Sequence, residues 1–170
     1  SPVISVIERK MESFFDEYFD EAPINRFEPF LAAGAKAYPV LMDALTSEEA
    51  DGSGRVDALV AMGRLFEEVG PTRDSLDAVV AHAKALSDSG LNPERQAALF
   101  AIGRSQEASL IENFMSLLTS GDQLAVYVSC SVVGYAAWEP AVAELKNLVV
   151  KNDAMISPIA IWALGEIGSI

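Results

Sequence analysis

Four stretches of this chain end on a glycine and share nearly the same upstream pattern: DALVAMG to Gly63, QAALFAIG to Gly103, SCSVVG to Gly134 and IAIWALG to Gly165. The glycines stand 40, 31 and 31 residues apart, and a fifth, FLAAG to Gly34, lies 29 before the first of them. A fixed period of this size excludes most folds, because each period must then be one small unit that buries its apolar face against its neighbours. Five residues before the glycine stand Ala58, Ala98, Ser129 and Ala160, all small. Four before it stand Leu59, Leu99, Cys130 and Ile161, and two before it Ala61, Ala101, Val132 and Ala163. Small residues at fixed places let helices lie close, larger ones fill the space between, and the glycine is expected to end or bend the helix. Asp51, Asp122 and Asp153 fall twelve residues upstream of three of the glycines, where a carboxylate caps a helix start.

Downstream of each glycine a second apolar-periodic segment ends alike: ALTS at 44–47, ALSD at 85–88 and LLTS at 117–120, with LVVK at 148–151 keeping only the apolar pair. Each unit therefore reads as helix, short turn, helix, and the long interval carries its extra residues in RLFEEVGPTRD, where Gly70-Pro71 marks a turn. No run alternates apolar and polar residues as a strand would, so the chain is all-α. At 170 residues it forms a single domain, and its 51% hydrophobic content supplies a core of mostly aliphatic residues.

The pattern resembles HEAT repeats, and the 31-residue period is similar to the HEAT-like repeats of phycobilisome lyases. The residues carrying the resemblance are NPERQAALFAIG (92–103), with Pro and Arg ahead of the Ala/Leu core, and AIWALGEIG (160–168). The arginine recurs as Arg55, eight before its glycine, whereas Val126 and Ser157 occupy that column later, so the family's Asp/Arg ladder is only partly present. The resemblance covers residues 50–170 well and 27–47 weakly. It implies an armadillo-like α-solenoid of antiparallel helix pairs over residues 1–170: an N-terminal cap in 1–26, then four to five units in 27–170, the last incomplete. Function does not transfer with such an architecture.

In the cap, Ile4, Ile7, Met11, Phe14, Phe15 and Tyr18 follow helical spacing, which predicts one amphipathic helix over 3–21, ended before Pro23. Its other side carries Glu8, Glu12, Asp16 and Asp20, four apart, either a strip for a basic protein surface or a solvated face. A second candidate surface is the column that aligning the second helices produces: Asp43, Lys84, Ser116 and Asn147, continued one turn back by Asn113 and Glu144. In a HEAT-like solenoid these residues line the concave side, as a binding surface or a solvated one.

Chemistry-bearing constellations are absent. The chain lacks HExxH, CxxC, Walker A and GxSxG patterns, so no catalytic, metal or cofactor site is expected. His82 is the single histidine; it is a lone general-base candidate or a half-buried helix residue. Among proteins of this architecture, hydroxylases hold iron with repeated His-Glu pairs and DNA glycosylases use a basic aromatic groove; this chain offers neither. Cys130 takes a column of core residues and cannot form an intrachain disulfide, which fits a reducing cytoplasm. Trp138 and Trp162 are either helix-packing residues or partner anchors.

Twelve Lys+Arg against twenty-five Asp+Glu give a net charge of −13, which disfavours nucleic acid and anionic membrane surfaces and permits a basic protein partner. The apolar run from Leu124 to Trp138 is too short to span a bilayer and suits a buried helix. The expected function is a non-catalytic interaction scaffold; a lyase-like or cofactor-handling activity is the alternative that the resemblance implies. At the far end AIWALGEIGSI reads as a first helix lacking its second, so Ile161, Trp162, Leu164 and Ile167 cannot all be covered from within. Either the array continues or this end is buried in a homodimer.

Overall fold

The computed structural model describes residues 24–86 and 92–169. Its α-helices are α1 (Ile24–Ala33), α2 (Tyr38–Thr46), α3 (Gly52–Val69), α4 (Arg73–Ala85), α5 (Pro93–Arg104), α6 (Ala108–Ser116), α7 (Gln123–Tyr135), α8 (Val142–Lys151) and α9 (Ile156–Ile167). Short 3-10 turns cover Gly34–Ala37, Leu117–Thr119 and Glu139–Ala141, and the described residues contain no strand. The acidic row Glu8, Glu12, Asp16 and Asp20 and the apolar stripe beside it lie outside the described residues.

Side chains set the helix starts as expected. Asp51 accepts from the Gly54 amide at 2.8 Å, Asp122 from Leu124 at 3.0 Å, and Asp153 from Met155 at 2.9 Å and Ile156 at 3.1 Å. Asn92 accepts from the Arg95 amide at 2.8 Å, and Thr72 and Ser75 form a reciprocal capping box on α4. Each satisfies a helix-start amide that would otherwise lack a partner. The extra residues after Gly63 do not form a loop: they lengthen α3 to 18 residues, up to Gly70 at φ +81°.

Gly34, at φ +61°, directly follows the last residue of α1 as expected, but the other four glycines of the pattern do not end their helices, and for them that expectation is corrected. Gly63, Gly103 and Gly134 are buried inside α3, α5 and α7, where the next helix in the row crosses. A Cβ on Gly63 would stand 2.5 Å from the Phe100 ring, and one on Gly134 2.5 Å from the Trp162 ring. On Gly103 it would stand 2.6 Å from Tyr135 Cβ and 2.9 Å from the Val132 carbonyl oxygen. The missing side chain is what lets the helices approach. The actual stop comes three residues later, in left-handed residues: Gln106 at φ 55° after α5, Ala137 at 49° after α7 and Gly168 at 84° after α9. In α9 the Gly168 and Ser169 amides both reach back to the Leu164 carbonyl, each at 3.0 Å, so the last turn is closed by a glycine that the pattern did not use.

The rings that enter these gaps meet one another. Phe100 and Tyr135 lie 5.4 Å apart at 87°, and Tyr135 and Trp162 4.9 Å apart at 72°, both edge to face. They join α5, α7 and α9 into a row in which α3 packs on α5, α5 on α7 and α7 on α9. The core lies along this row, with Leu59, Ala61, Ala97, Ala98, Cys130, Val132, Ala160 and Ala163 at 0–2% exposure. Burial pushes the Cys130 thiol up to about 12, so it stays a neutral core group.

The outer helices pair differently from expectation. α2 packs mainly on α3, α4 on α5, α6 on α7 and α8 on α9, so each covers the inner helix that follows it rather than the one before. The physical reason lies in the turns after α5 and α7: the single left-handed residue sends the chain away abruptly, toward the next inner helix. Thus α9 has an outer partner, α8. Leu164 is buried, Trp162 and Ile167 are half-buried, and Ile161 remains exposed.

Candidate functional site: a cavity between the outer helices

Between α4 and α6 a cavity of about 350 Å³ opens over the inner row, within the range of small-ligand and side-chain pockets. Val80, Ala83 and Lys84 line it from α4, Leu110, Asn113 and Phe114 from α6. Leu99 and Ile102 of α5 lie at its base with 2% and 1% exposure, and Arg95, Leu117 and Val128 complete the lining. The opening follows from the sequence. Of the nine residues of α6 only Ile111 is buried, and α4 buries only Ser75, Leu76 and Val79. With Ala83 facing the gap, neither helix carries the bulk to close it.

Among the described residues the wall is mostly apolar, and the charged ones, Lys84 and Arg95, are both cationic. This apolar wall can hold an apolar side chain, with Lys84 at its edge for an anionic group.

Two members of the expected polar column meet here, Lys84 and Asn113. Past Ser116 the chain passes from α-helix into the 3-10 turn Leu117–Thr119, whereas the corresponding residues before Ser47 are α-helical. Ser116 turns its hydroxyl back to the Asn113 carbonyl at 2.6 Å. Asp43 is exposed on α2, Asn147 exposed and Glu144 half-buried on α8, and none of the three lines the cavity. The apolar walls, above all Phe114 and Leu110, were missed; the signal was there, since Leu110 and Phe114 stand four apart on one face of α6.

His82 is not alone in space. Its Nε2 lies 2.8 Å from Glu94 Oε1, and that same carboxylate oxygen accepts from Arg55 Nε at 2.6 Å. One carboxylate thereby ties α3, α4 and α5. Burial pushes the Glu94 carboxyl upward, but the hydrogen bonds and charges of Arg55 and His82 outweigh it and hold the group below the usual range. Neither His82 nor Glu94 lines the cavity. Trp162 packs between helices, against Gly134 and Tyr135, and Trp138 is half-buried.

No helix among the described residues is long and apolar enough to cross a membrane. Compared with models of known protein families and with curated proteins, the chain matches none.

Proposed function

We propose that this chain is a non-catalytic protein-interaction module, a HEAT-like α-solenoid that grips a segment of a partner protein in the cavity between α4 and α6. Supporting the solenoid reading are the inner row α3–α5–α7–α9, the glycine gaps filled by the next helix, and the left-handed stops at Gln106, Ala137 and Gly168. The observation that carries the interaction reading is the cavity itself: an apolar socket over Leu99 and Ile102 with Lys84 and Arg95 in its wall. Such a socket takes an aliphatic or aromatic anchor with a carboxylate next to it in sequence. The total charge of −13 favours basic surface on the same partner outside the cavity, so the recognised segment is of mixed charge around one apolar anchor.

A catalytic reading would use His82 as a base oriented by Glu94. Because Glu94 is shared with Arg55 and the pair stands apart from the cavity, we read the three residues as a tie between helices.

Peptide display against the whole chain tests the proposal. Enriched peptides carry Leu, Ile or Phe beside Asp or Glu. Their affinity falls roughly tenfold or more on Lys84→Glu or Phe114→Ala, one anchor contact or one desolvated ion pair. His82→Gln leaves it unchanged. Peptides that bind both cavity variants as tightly as the parent protein would overturn the proposal, and so would a selection with no enrichment.

A further inference from the structure

Val79 of α4 and Ile111 of α6 are both fully buried, where their outer helices pack on the inner row. One turn further along the same side of each helix stand Ala83 and Met115. Met115 is half-buried and packs against the core, and just beyond it the turn Leu117–Thr119 meets α8. Ala83 is half-buried as well, but its side chain ends at a methyl and it lines the cavity. The two outer helices thus differ in the bulk that follows their buried contact, and the cavity lies where that bulk is missing. Its volume of about 350 Å³ is more than twice the roughly 150 Å³ in which an apolar cavity takes a benzene ring.

We propose that Ala83 sets which anchor the cavity admits: its methyl leaves the room for an aromatic side chain, and a longer side chain at this position takes that room from within. The inference rests on the reading of the cavity as the grip on a partner's apolar anchor, and it adds the class of that anchor. The floor over Leu99 and Ile102 is apolar and closed, so the ring is covered from below. Phe114 in the wall gives the ring an aromatic neighbour, which favours it over an aliphatic anchor beyond the area buried. Methionine at position 83 would repeat what α6 already does with Met115.

Two probes on the whole chain test this. Benzene enters apolar cavities without any of a peptide's other contacts. It shifts the methyl resonances of Val80 and Leu110 in the parent protein and leaves them in place in Ala83→Met. The second probe is a Phe-anchored peptide selected on the parent, with its Leu-anchored counterpart. Ala83→Met weakens the Phe-anchored peptide by roughly tenfold or more. Ala83→Val, which narrows the cavity without closing it, moves the preference toward the Leu-anchored peptide by roughly tenfold. Filling a gap leaves the thermal midpoint equal or higher, so these losses are not loss of fold. Ala81→Met, at an exposed residue of α4 outside the cavity, changes neither readout. Benzene that shifts the Ala83→Met resonances as it does the parent's, or none in the parent, overturns the inference. So does a peptide preference that is the same in the parent and Ala83→Val, or binding lost equally in Ala81→Met. Benzene taken up by the parent alone, with no peptide selected, upholds the role of Ala83 and removes the peptide-gripping reading instead.

Discussion

At Gly103 a methyl group would meet backbone: the Val132 carbonyl oxygen at 2.9 Å and the Ala136 nitrogen at 3.0 Å, besides Tyr135 Cβ. Backbone cannot swing aside as a side chain can, so α7 must shift away from α5 to admit it. At Gly165 the same methyl meets nothing. Alanine is preferred over glycine inside a helix by about 1 kcal/mol, which sets opposite signs for one substitution at two positions of the same motif. Gly165→Ala should stabilise the monomer by roughly 0.5–1 kcal/mol. Gly103→Ala should destabilise it by about 1–3 kcal/mol, since overpacking outweighs the propensity gain. Urea unfolding at low protein concentration, with the slope unchanged, checks both; equal signs would show that the gap at Gly103 is not required. The glycine column was legible in the sequence, but its role was not. A glycine near a helix end is read as a stop because that is its commonest use, and only the neighbouring helix reveals the alternative.

Helices here are joined by a few polar ties whose partners come from different elements. Tyr38, with its phenol pushed up to about 12 by burial, donates to the Gly70 carbonyl at 2.7 Å and fastens α2 to the end of α3. Gln96 of α5 donates to Tyr135 at 3.1 Å and to Ser131 at 3.3 Å on α7. The Arg55–Glu94–His82 group joins three helices, and it makes a prediction about acid. Glu94 has a folded-state pKa below its unfolded value, so the unfolded chain takes up the proton more readily. Its contribution is fully present above the unfolded value, near about 4.3, and is lost as pH falls through the folded one. Glu94→Gln should cost roughly 1–2 kcal/mol at neutral pH, a hydrogen-bonded charge partly shielded from water. The cost should shrink as pH is lowered from about 5 toward about 3. Thermal melts of both proteins across that range check it; parallel curves would remove Glu94 from the account. Asp153, also held below its usual range by the Ile156 and Met155 amides, loses its contribution in both proteins and cancels from the difference. At this scale the capping aspartates were readable, because a cap is a local interaction between residues two or three apart. The His82–Glu94 pair, twelve residues apart on different helices, was not, and neither was the pairing of each outer helix with the inner helix after it.

Across the whole molecule burial is distributed by layer. In α7 every residue from Val126 to Tyr135 is buried, and in α5 every residue from Gln96 to Gly103. Both helices lie between inner neighbours on two sides, α5 between α3 and α7, α7 between α5 and α9. The outer α4 and α6 bury three residues and one. The charge-free composition of α7 announced the first part of this contrast: a helix apolar on all sides has no solvent face to spend. The cavity was not announced, since it results from two outer helices that are both too thinly apolar to meet, a property of neither alone. Opening the outer layer therefore costs far less buried surface than opening the inner row, and the two layers should separate in native-state hydrogen exchange. Amides of α5 and α7 should exchange only through global unfolding, with the largest protection factors. Those of α4 and α6 should exchange through local opening, at least roughly tenfold to a hundredfold faster, with little dependence on low denaturant. A peptide that enters the cavity should slow α4 and α6 selectively, because it bridges the two helices while the inner row is already at its limit. Uniform protection across both layers would contradict this division.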